Sequence, residues 1–232
     1  MAIYITGDVH GEPEKRLSNR NLKRMGKRPF AAEDLVLIAG DFGLPWNASE
    51  SDSYRLNWMA SREYTVVFVD GNHENFNMLN DFPVISWNGG RAHQLRHNLF
   101  HLMRGEIYEI QGRTFFVFGG GTSVDRMYRK ENISWWPEEI YSSADYDNAL
   151  HNLSAYHYEV DYVITHTAPA IMAYPLIDEK GQFQEKLECP TLKMLTELEK
   201  KITYKHWFFG HFHQDVEKNQ YSCLYHKIRQ IY

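Results

Sequence analysis

Short runs of apolar, β-branched and aromatic residues recur along the chain, each closed by glycine or a polar cluster. They are Ala2-Ile3-Tyr4-Ile5, Leu35–Ala39, Thr65–Val69, Phe115–Phe118, Tyr162–Ile164 and Trp207–Phe209. None alternates apolar with polar positions, so each predicts a buried strand, and together they predict an α/β protein. Helical spacing lies between the runs. Ser143 is placed to cap a helix reaching about His157, with Ala149, Leu150 and Leu153 inward. Pro190 opens another, with a stripe of Leu192, Leu195, Leu198 and Ile202. Glu106 to Phe118 reads as a hairpin turning at Gln111-Gly112, and Tyr221 to Tyr232 as a closing strand or two. Two segments lack a period. Thr122 to Tyr141 is polar and irregular, which predicts a long loop rather than core. Gly89-Gly90 and polar neighbours predict another loop around His93, His97 and His101. With no repeat or linker, residues 1–232 are expected to form one domain.

Composition adds less. Hydrophobic residues at 43% and charged residues at 24% are those of an ordinary globular chain with a sizeable core. A net charge of −5 offers no basic field to indicate nucleic-acid binding, although a metal centre supplies positive charge locally. Cys189 and Cys223 lack CxxC spacing and are expected as free thiols in a reducing compartment. The N-terminus has neither the basic region nor the apolar core of a signal peptide, and no segment approaches a membrane span. A cytoplasmic location with no membrane partner is the expectation.

The chemistry lies just beyond the strands. Five of the six runs lead into residues able to bind metal: Gly7-Asp8-Val9-His10-Gly11, Gly40-Asp41-Phe42-Gly43, Asp70-Gly71-Asn72-His73-Glu74, Thr165-His166-Thr167 and Gly210-His211-Phe212-His213. In open α/β sheets the functional crevice lies beyond the carboxyl ends of the strands, so these side chains should converge. Alternate residues of an extended segment point the same way, which predicts that Asp8 with His10, and His211 with His213, each reach one ion. Asp8, His10, Asp41, Asn72, His166, His211 and His213 offer carboxylate, imidazole and amide oxygen, a set suited to Mn²⁺, Fe or Zn²⁺ rather than to thiolate-bound structural zinc. Seven ligands are too many for one ion and about right for two, and Asp41, a carboxylate midway in the order, is the candidate bridge.

These five blocks, in this order from Gly7 to His213, resemble those of the calcineurin-like metallophosphoesterases. The resemblance implies a four-layer α/β/β/α sandwich of mixed sheets with a dinuclear site at the carboxyl ends of the strands. It implies one divalent ion on Asp8, His10, Asp41 and His213 and a second on Asp41, Asn72, His166 and His211, with Mn²⁺ expected ahead of Fe or Zn²⁺. It further implies a metal-bridging hydroxide as nucleophile, and His73 as general acid or transition-state stabiliser. The expected activity is that of a phosphodiesterase or phosphatase on a small or nucleotide-like phosphate ester.

Two alternatives carry less support. After Gly40-Asp41 the chain reads Phe42-Gly43-Leu44-Pro45-Trp46, without the Asp-Arg-Gly of phosphoprotein phosphatases, and Thr167-Ala168-Pro169 stands where that branch carries glycines. A non-catalytic metal-binding module is opposed by the retention of His73 and all seven ligands. Around the centre, Arg126 and Arg129 are candidates for binding substrate phosphate. Trp135 and Trp136 are candidates for stacking on a nucleobase or, preferably, for pinning the loop. Asp70 is a candidate for orienting His73 or Asn72. His151, His157, His206 and His226 are expected in structural or surface roles.

Overall fold

Strands that are apolar on both faces need cover on both faces, and two packed sheets flanked by helices provide it. The computed structural model describes residues 1–178 and 189–231. In one sheet β1 (Ile3–Thr6), β2 (Leu35–Ala39), β3 (Thr65–Val69) and β6 (Leu99–Leu102) run parallel. Antiparallel β13 (Arg229–Gln230) closes one edge, and β5 (Gly90–Arg96) with β4 (Val84–Trp87) the other. In the second sheet β12 (Tyr221–Cys223), β10 (His206–Phe209), β9 (Tyr162–Thr165) and β8 (Arg113–Phe118) are parallel, between antiparallel β11 (Val216–Lys218) and β7 (Ile107–Ile110).

Three cores follow from the alternation of side chains along these strands. Ile3, Ile5, Leu37 and Val67 of the first sheet pack with Phe115, Val117, Ile164 and Phe208 of the second. The opposite face of the first sheet, with Tyr4, Val36, Ile38 and Phe68, meets Leu17, Leu22, Leu56, Met59 and Leu79. These come from α1 (Pro13–Leu17), α2 (Asn19–Arg24), α3 (Glu50–Ala60) and α4 (Phe76–Asn80). The outer face of the second sheet, with Phe116, Phe118, Val163 and Trp207, meets α5 (Ser143–Ala155), α6 (Ala170–Asp178) and α7 (Pro190–Glu199). The result is the expected α/β/β/α order. Among the described residues no helix is long and apolar enough to cross a membrane.

Local expectations fare unevenly. The β7–β8 hairpin turns at Gln111 (φ 54°) and Gly112 (φ 68°), the left-handed pair that a two-residue type I′ turn requires. The cap of α5 is Ser142, one residue earlier than expected, in a reciprocal capping box with Asp145. Ile202 lies beyond the end of α7 but remains in the same core. The closing segment divides between the sheets: β12 joins the second, whereas β13 pairs with β1 in the first. Tyr232 lies outside the described residues.

The segment around the three histidines is not a loop. His93 lies on β5 and His101 on β6, directly across from one another, and only His97 sits at the exposed turn between them. Their polarity hid the strands because it serves a buried charge. His101 donates Nε2–H to Asp70 Oδ1 at 3.1 Å, which leaves its Nδ1 to share a proton with His93 Nδ1 at 3.0 Å. Arg104 Nε donates to Asp70 Oδ2 at 2.9 Å. Burial alone would raise the Asp70 carboxyl, but Arg104 and then His101 hold it well below the usual carboxylate range. Asp70 thus anchors the end of β3 from behind and does not orient His73 or Asn72 directly.

Burial lowers His93 from an ordinary 6.5 to about 4. The unfolded chain therefore binds a proton that the folded chain refuses between those values, so stability falls as pH drops through this window. His93→Gln should show a shallower loss of unfolding free energy than wild type between pH 6.5 and 4.5, read from urea midpoints. Equal slopes would show that His93 is not neutral in the fold.

Candidate metal centre

Parallel register brings the strand ends to one edge. Thr6 pairs with Ile38 and Ile38 with Phe68 in the first sheet; Phe118 pairs with Thr165 and Ile164 with Phe208 in the second. The five motif blocks leave their strands together, and backbone bonds tie the first two into one unit: His10 N donates to Asp41 O at 2.8 Å and Gly11 N to Phe42 O at 2.8 Å. Close approach needs glycine. A Cβ on Gly40 (φ 88°) would stand 2.0 Å from His166 Nδ1, and one on Gly210 would stand 2.5 Å from Asp8 Oδ2.

The paired residues converge by a different device from the one expected. Asp8, His10, Asp41, His211 and His213 are all left-handed, with φ between 43° and 68°, so strand alternation does not aim them. Such conformations cost about 1–3 kcal/mol each and persist where the surroundings over-determine them.

The side chains form two adjoining groups that share Asp41. In the first, ligand atoms of Asp8, His10, Asp41 and His213 all lie within 4.8 Å of one another. In the second, His166 Nε2 is 3.0 Å from Asn72 Oδ1, 3.2 Å from His211 Nδ1 and 3.3 Å from Asp41 Oδ1. All seven candidate ligands are therefore brought together. His166 Nδ1 faces the carbonyl of Ala39 at 3.0 Å, which can only accept, so Nδ1 carries the proton and Nε2 presents its lone pair to the centre.

The charge of the site suits a cation, although Arg16 acts on Asp8 from a distance. Asp8 and Asp41 are each 1% exposed, and among the described residues neither forms an ion pair with lysine or arginine. Burial, then the neighbouring charge of Asp41, raises the Asp8 carboxyl well above its ordinary value. Burial would raise Asp41 too, yet the imidazoles of His166, His73 and His10 pull it below. Burial lowers His10 despite the opposing charge of Asp41, which favours the neutral form that can donate a lone pair. Carboxylates, neutral imidazoles and an amide oxygen are the donor set that borderline divalent ions take.

Residues that the sequence did not single out fix these ligands. Glu74 is buried and accepts from Phe42 N at 2.8 Å and Gly43 N at 2.9 Å, clamping the turn that carries Asp41. Asn72 Nδ2 donates to Ser123 Oγ at 3.1 Å, and Ser123 Oγ donates to Glu139 at 2.6 Å, so the amide oxygen of Asn72 turns toward His166. Glu74 closes the third motif block and was within reach; Glu139 sits in an irregular segment that gave no signal. That segment is more buried than expected. Glu139 is fully enclosed, and Trp136 is 1% exposed with its ring edge-on to Trp46 at 5.2 Å, which pins the loop.

His73 N donates to Asp41 Oδ1 at 2.8 Å, and its ring lies edge-on to that of His10 at 5.2 Å. Arg129 places Nη1 at 3.1 Å from His73 Nδ1 and pairs with Asp125 at 2.8 Å. Arg126 turns to Glu139 and lies over the Trp135 ring instead. Two cavities meet at His73. One of about 420 Å³ is lined by His10, Leu44, Trp46, Asn47 and Arg55; the other, of about 220 Å³, by Asn72, Ser123, Asp125, His211 and His213.

This arrangement of two mixed sheets with a metal-ligating cluster at their strand ends has known counterparts. The family model for calcineurin-like phosphoesterases matches residues 1–215, and the chain belongs to that family. Among curated relatives, the lariat debranching enzyme of Homo sapiens is 26% identical over 243 residues and that of Gallus gallus 25% identical over 242. Each alignment covers 92% of this chain but 42% of the relative, so the chain spans less than half the length of these proteins. A solved phosphopantetheinyl hydrolase from Mycobacterium tuberculosis aligns over 99% of this chain and 95% of its own, at 14% identity and a TM-score of 0.39.

A cation that binds only the folded chain stabilises it by mass action, by about 2.7 kcal/mol at one hundred times the dissociation constant. Saturating Mn²⁺ should raise the thermal midpoint of wild type over chelator-treated protein and raise that of Asp41→Asn by much less. An equal rise in both would place the stabilising ion elsewhere.

Proposed function

We propose that this chain is a divalent-metal-dependent phosphodiesterase acting on small or nucleotide-like phosphate esters, with residues 1–232 forming one catalytic domain in the cytoplasm. The observation that carries this reading is the buried pair Asp8 and Asp41, set among imidazoles with no lysine or arginine paired to either among the described residues. Asp8, His10, Asp41 and His213 would hold one ion and Asp41, Asn72, His166 and His211 the other, with Mn²⁺ as the first choice. When bound, such ions supply Lewis acidity toward the phosphoryl oxygens and make water acidic enough to attack at neutral pH.

The remaining work falls to the chain. His73, fixed through its backbone to Asp41, is positioned to donate a proton to the leaving oxygen. Arg129 beside it offers donors to a non-bridging phosphate oxygen, and Glu74 and Ser123 keep the ligand turns from relaxing. The diester preference rests on the two cavities that meet at His73, because a phosphodiester carries a substituent on either side of phosphorus. The relatives named lariat debranching enzymes, which are phosphodiesterases, support the same preference. A cytoplasmic setting is in keeping with the buried free thiols of Cys189 and Cys223.

The test is hydrolysis of bis(p-nitrophenyl) phosphate and p-nitrophenyl phosphate with Mn²⁺ or chelator. Wild type should favour the diester and lose activity in chelator. Asp41→Asn should be inactive, and His73→Gln should lose about 10²–10⁴-fold in kcat, the usual worth of a positioned acid. Preference for the monoester would overturn the diester assignment. Metal-loaded protein inert to both compounds and to nucleotide diesters would favour a non-catalytic module.

A further inference from the structure

A net charge of −5 conceals an uneven distribution. Residues 15–32 contain seven basic residues, Lys15, Arg16, Arg20, Lys23, Arg24, Lys27 and Arg28, and no acidic one. They span α1, α2 and the turn beyond. Leu17 and Leu22 pack into the core beneath, so Arg20, Lys23 and Arg24 face solvent. Past α2, Met25 and Lys27 form one wall of a surface groove of about 400 Å³, and Lys227, Ile228, Arg229 and Gln230 form the other with Glu217.

Of the acids nearby, two are paired with arginine, one accepts backbone amides, and Glu33 acts on Arg28. Glu217 pairs with Arg229 at 3.4 Å, and Asp34 with Arg28 at 2.7 Å. Asp215 accepts the backbone amides of Tyr225, His226 and Lys227. Arg20, Lys23, Arg24, Lys27 and Lys227 form no ion pair among the described residues. Of the groove's lining residues, Lys27 and Lys227 thus carry positive charge outside any ion pair among the described residues.

A short stretch of chain links the groove to the metal centre. Tyr225 stacks on His213, with ring centres 4.5 Å apart and planes 16° from parallel, and its other neighbour is the exposed ring of His226 at 4.1 Å. Arg16 donates to Tyr225 O and lies 5.7 Å from its ring. Lys227 comes two residues later, within about 7 Å along the backbone. From the centre outward these contacts and the chain lead from a ligand imidazole over two aromatic rings to Lys227 on the groove wall.

Aromatic faces followed by spaced cations match a single nucleic-acid strand, whose bases stack while its phosphates track the charge. A mononucleotide at the centre has no phosphates to reach Lys27. We propose that the groove between Lys27 and Lys227 binds the sugar–phosphate backbone of a single-stranded nucleic acid whose neighbouring phosphodiester lies at the metal centre. The position of that diester rests on the phosphodiesterase reading; binding in the groove does not.

The experiment compares wild type with the double variant Lys27→Gln, Lys227→Gln, two residues outside the metal centre. Binding of a fluorescein-labelled single-stranded oligonucleotide of about twelve nucleotides, within the usual site sizes, is followed by anisotropy in chelator across a salt series. Chelator removes hydrolysis from the readout, so the result stands or falls independently of turnover. The variant should bind about tenfold or more weakly at low salt. Its slope of log affinity against log salt should be shallower by about 1.4, at 0.7 per phosphate contact on a single strand. Hydrolysis of bis(p-nitrophenyl) phosphate with Mn²⁺ should be unchanged and serves as the check on folding. Equal affinity and slope in both proteins would overturn the proposal. Unchanged oligonucleotide binding with lost binding to phosphatidylserine vesicles would overturn it too, and would assign the groove to an acidic lipid surface.

Discussion

Asp8 and Asp41 are two carboxylates taken out of water side by side, with imidazoles around them and, among the described residues, no lysine or arginine paired to either. An isolated buried carboxylate is costly enough that it ordinarily finds a partner or takes up a proton. The rest of the centre is organised around that cost. His166 is held in the tautomer that offers a lone pair, Asn72 is turned so that its oxygen faces inward, and five ligand positions are kept in left-handed backbone. Each of these is unfavourable or indifferent for an unliganded protein and useful for one that binds divalent cations.

The scaffold tolerates this because the strain is confined to the strand ends. Three apolar cores carry the stability, and the inter-sheet core brings Phe100, Phe115 and Phe208 against aliphatic residues of the parallel strands. A fully buried aliphatic or aromatic side chain contributes about 1.5–3 kcal/mol, so a few such residues offset the left-handed turns. Behind β3, Asp70 with Arg104 and His101 holds the turn that delivers Asn72 and His73. The ligands are thereby fixed by elements that do not themselves touch the site.

Much of this is legible in the sequence because the relevant signals are local. A run of apolar residues closed by Gly-Asp or Gly-His marks both a strand and the chemistry at its end, and parallel pairing turns several such marks into one site. The features that were not legible depend on partners far away in the chain. β5 and β6 looked like loop because His93 and His101 are polar, and their partner Asp70 lies more than twenty residues earlier. The burial of Glu139 in a segment that reads as a polar loop was not legible because nothing local shows that Ser123 and Arg126 enclose it. Trp136, by contrast, pins the loop against Trp46 as expected. The alternation expected of Asp8 with His10 gave the right convergence for the wrong reason, since left-handed φ values leave no local trace when the residue is Asp or His rather than Gly. The basic surface along α2 was masked by averaging charge over the whole chain.

Sharing of Asp41 between two ions is the central claim, and electron paramagnetic resonance of Mn²⁺-loaded protein tests it most directly. Two ions bridged at about 3.5–4 Å are exchange-coupled. The expected result is close to two Mn²⁺ per chain with a coupled multiline spectrum, replaced in Asp41→Asn by the six-line signal of isolated ions. One Mn²⁺ per chain, or two with only the isolated-ion spectrum, would contradict a dinuclear centre.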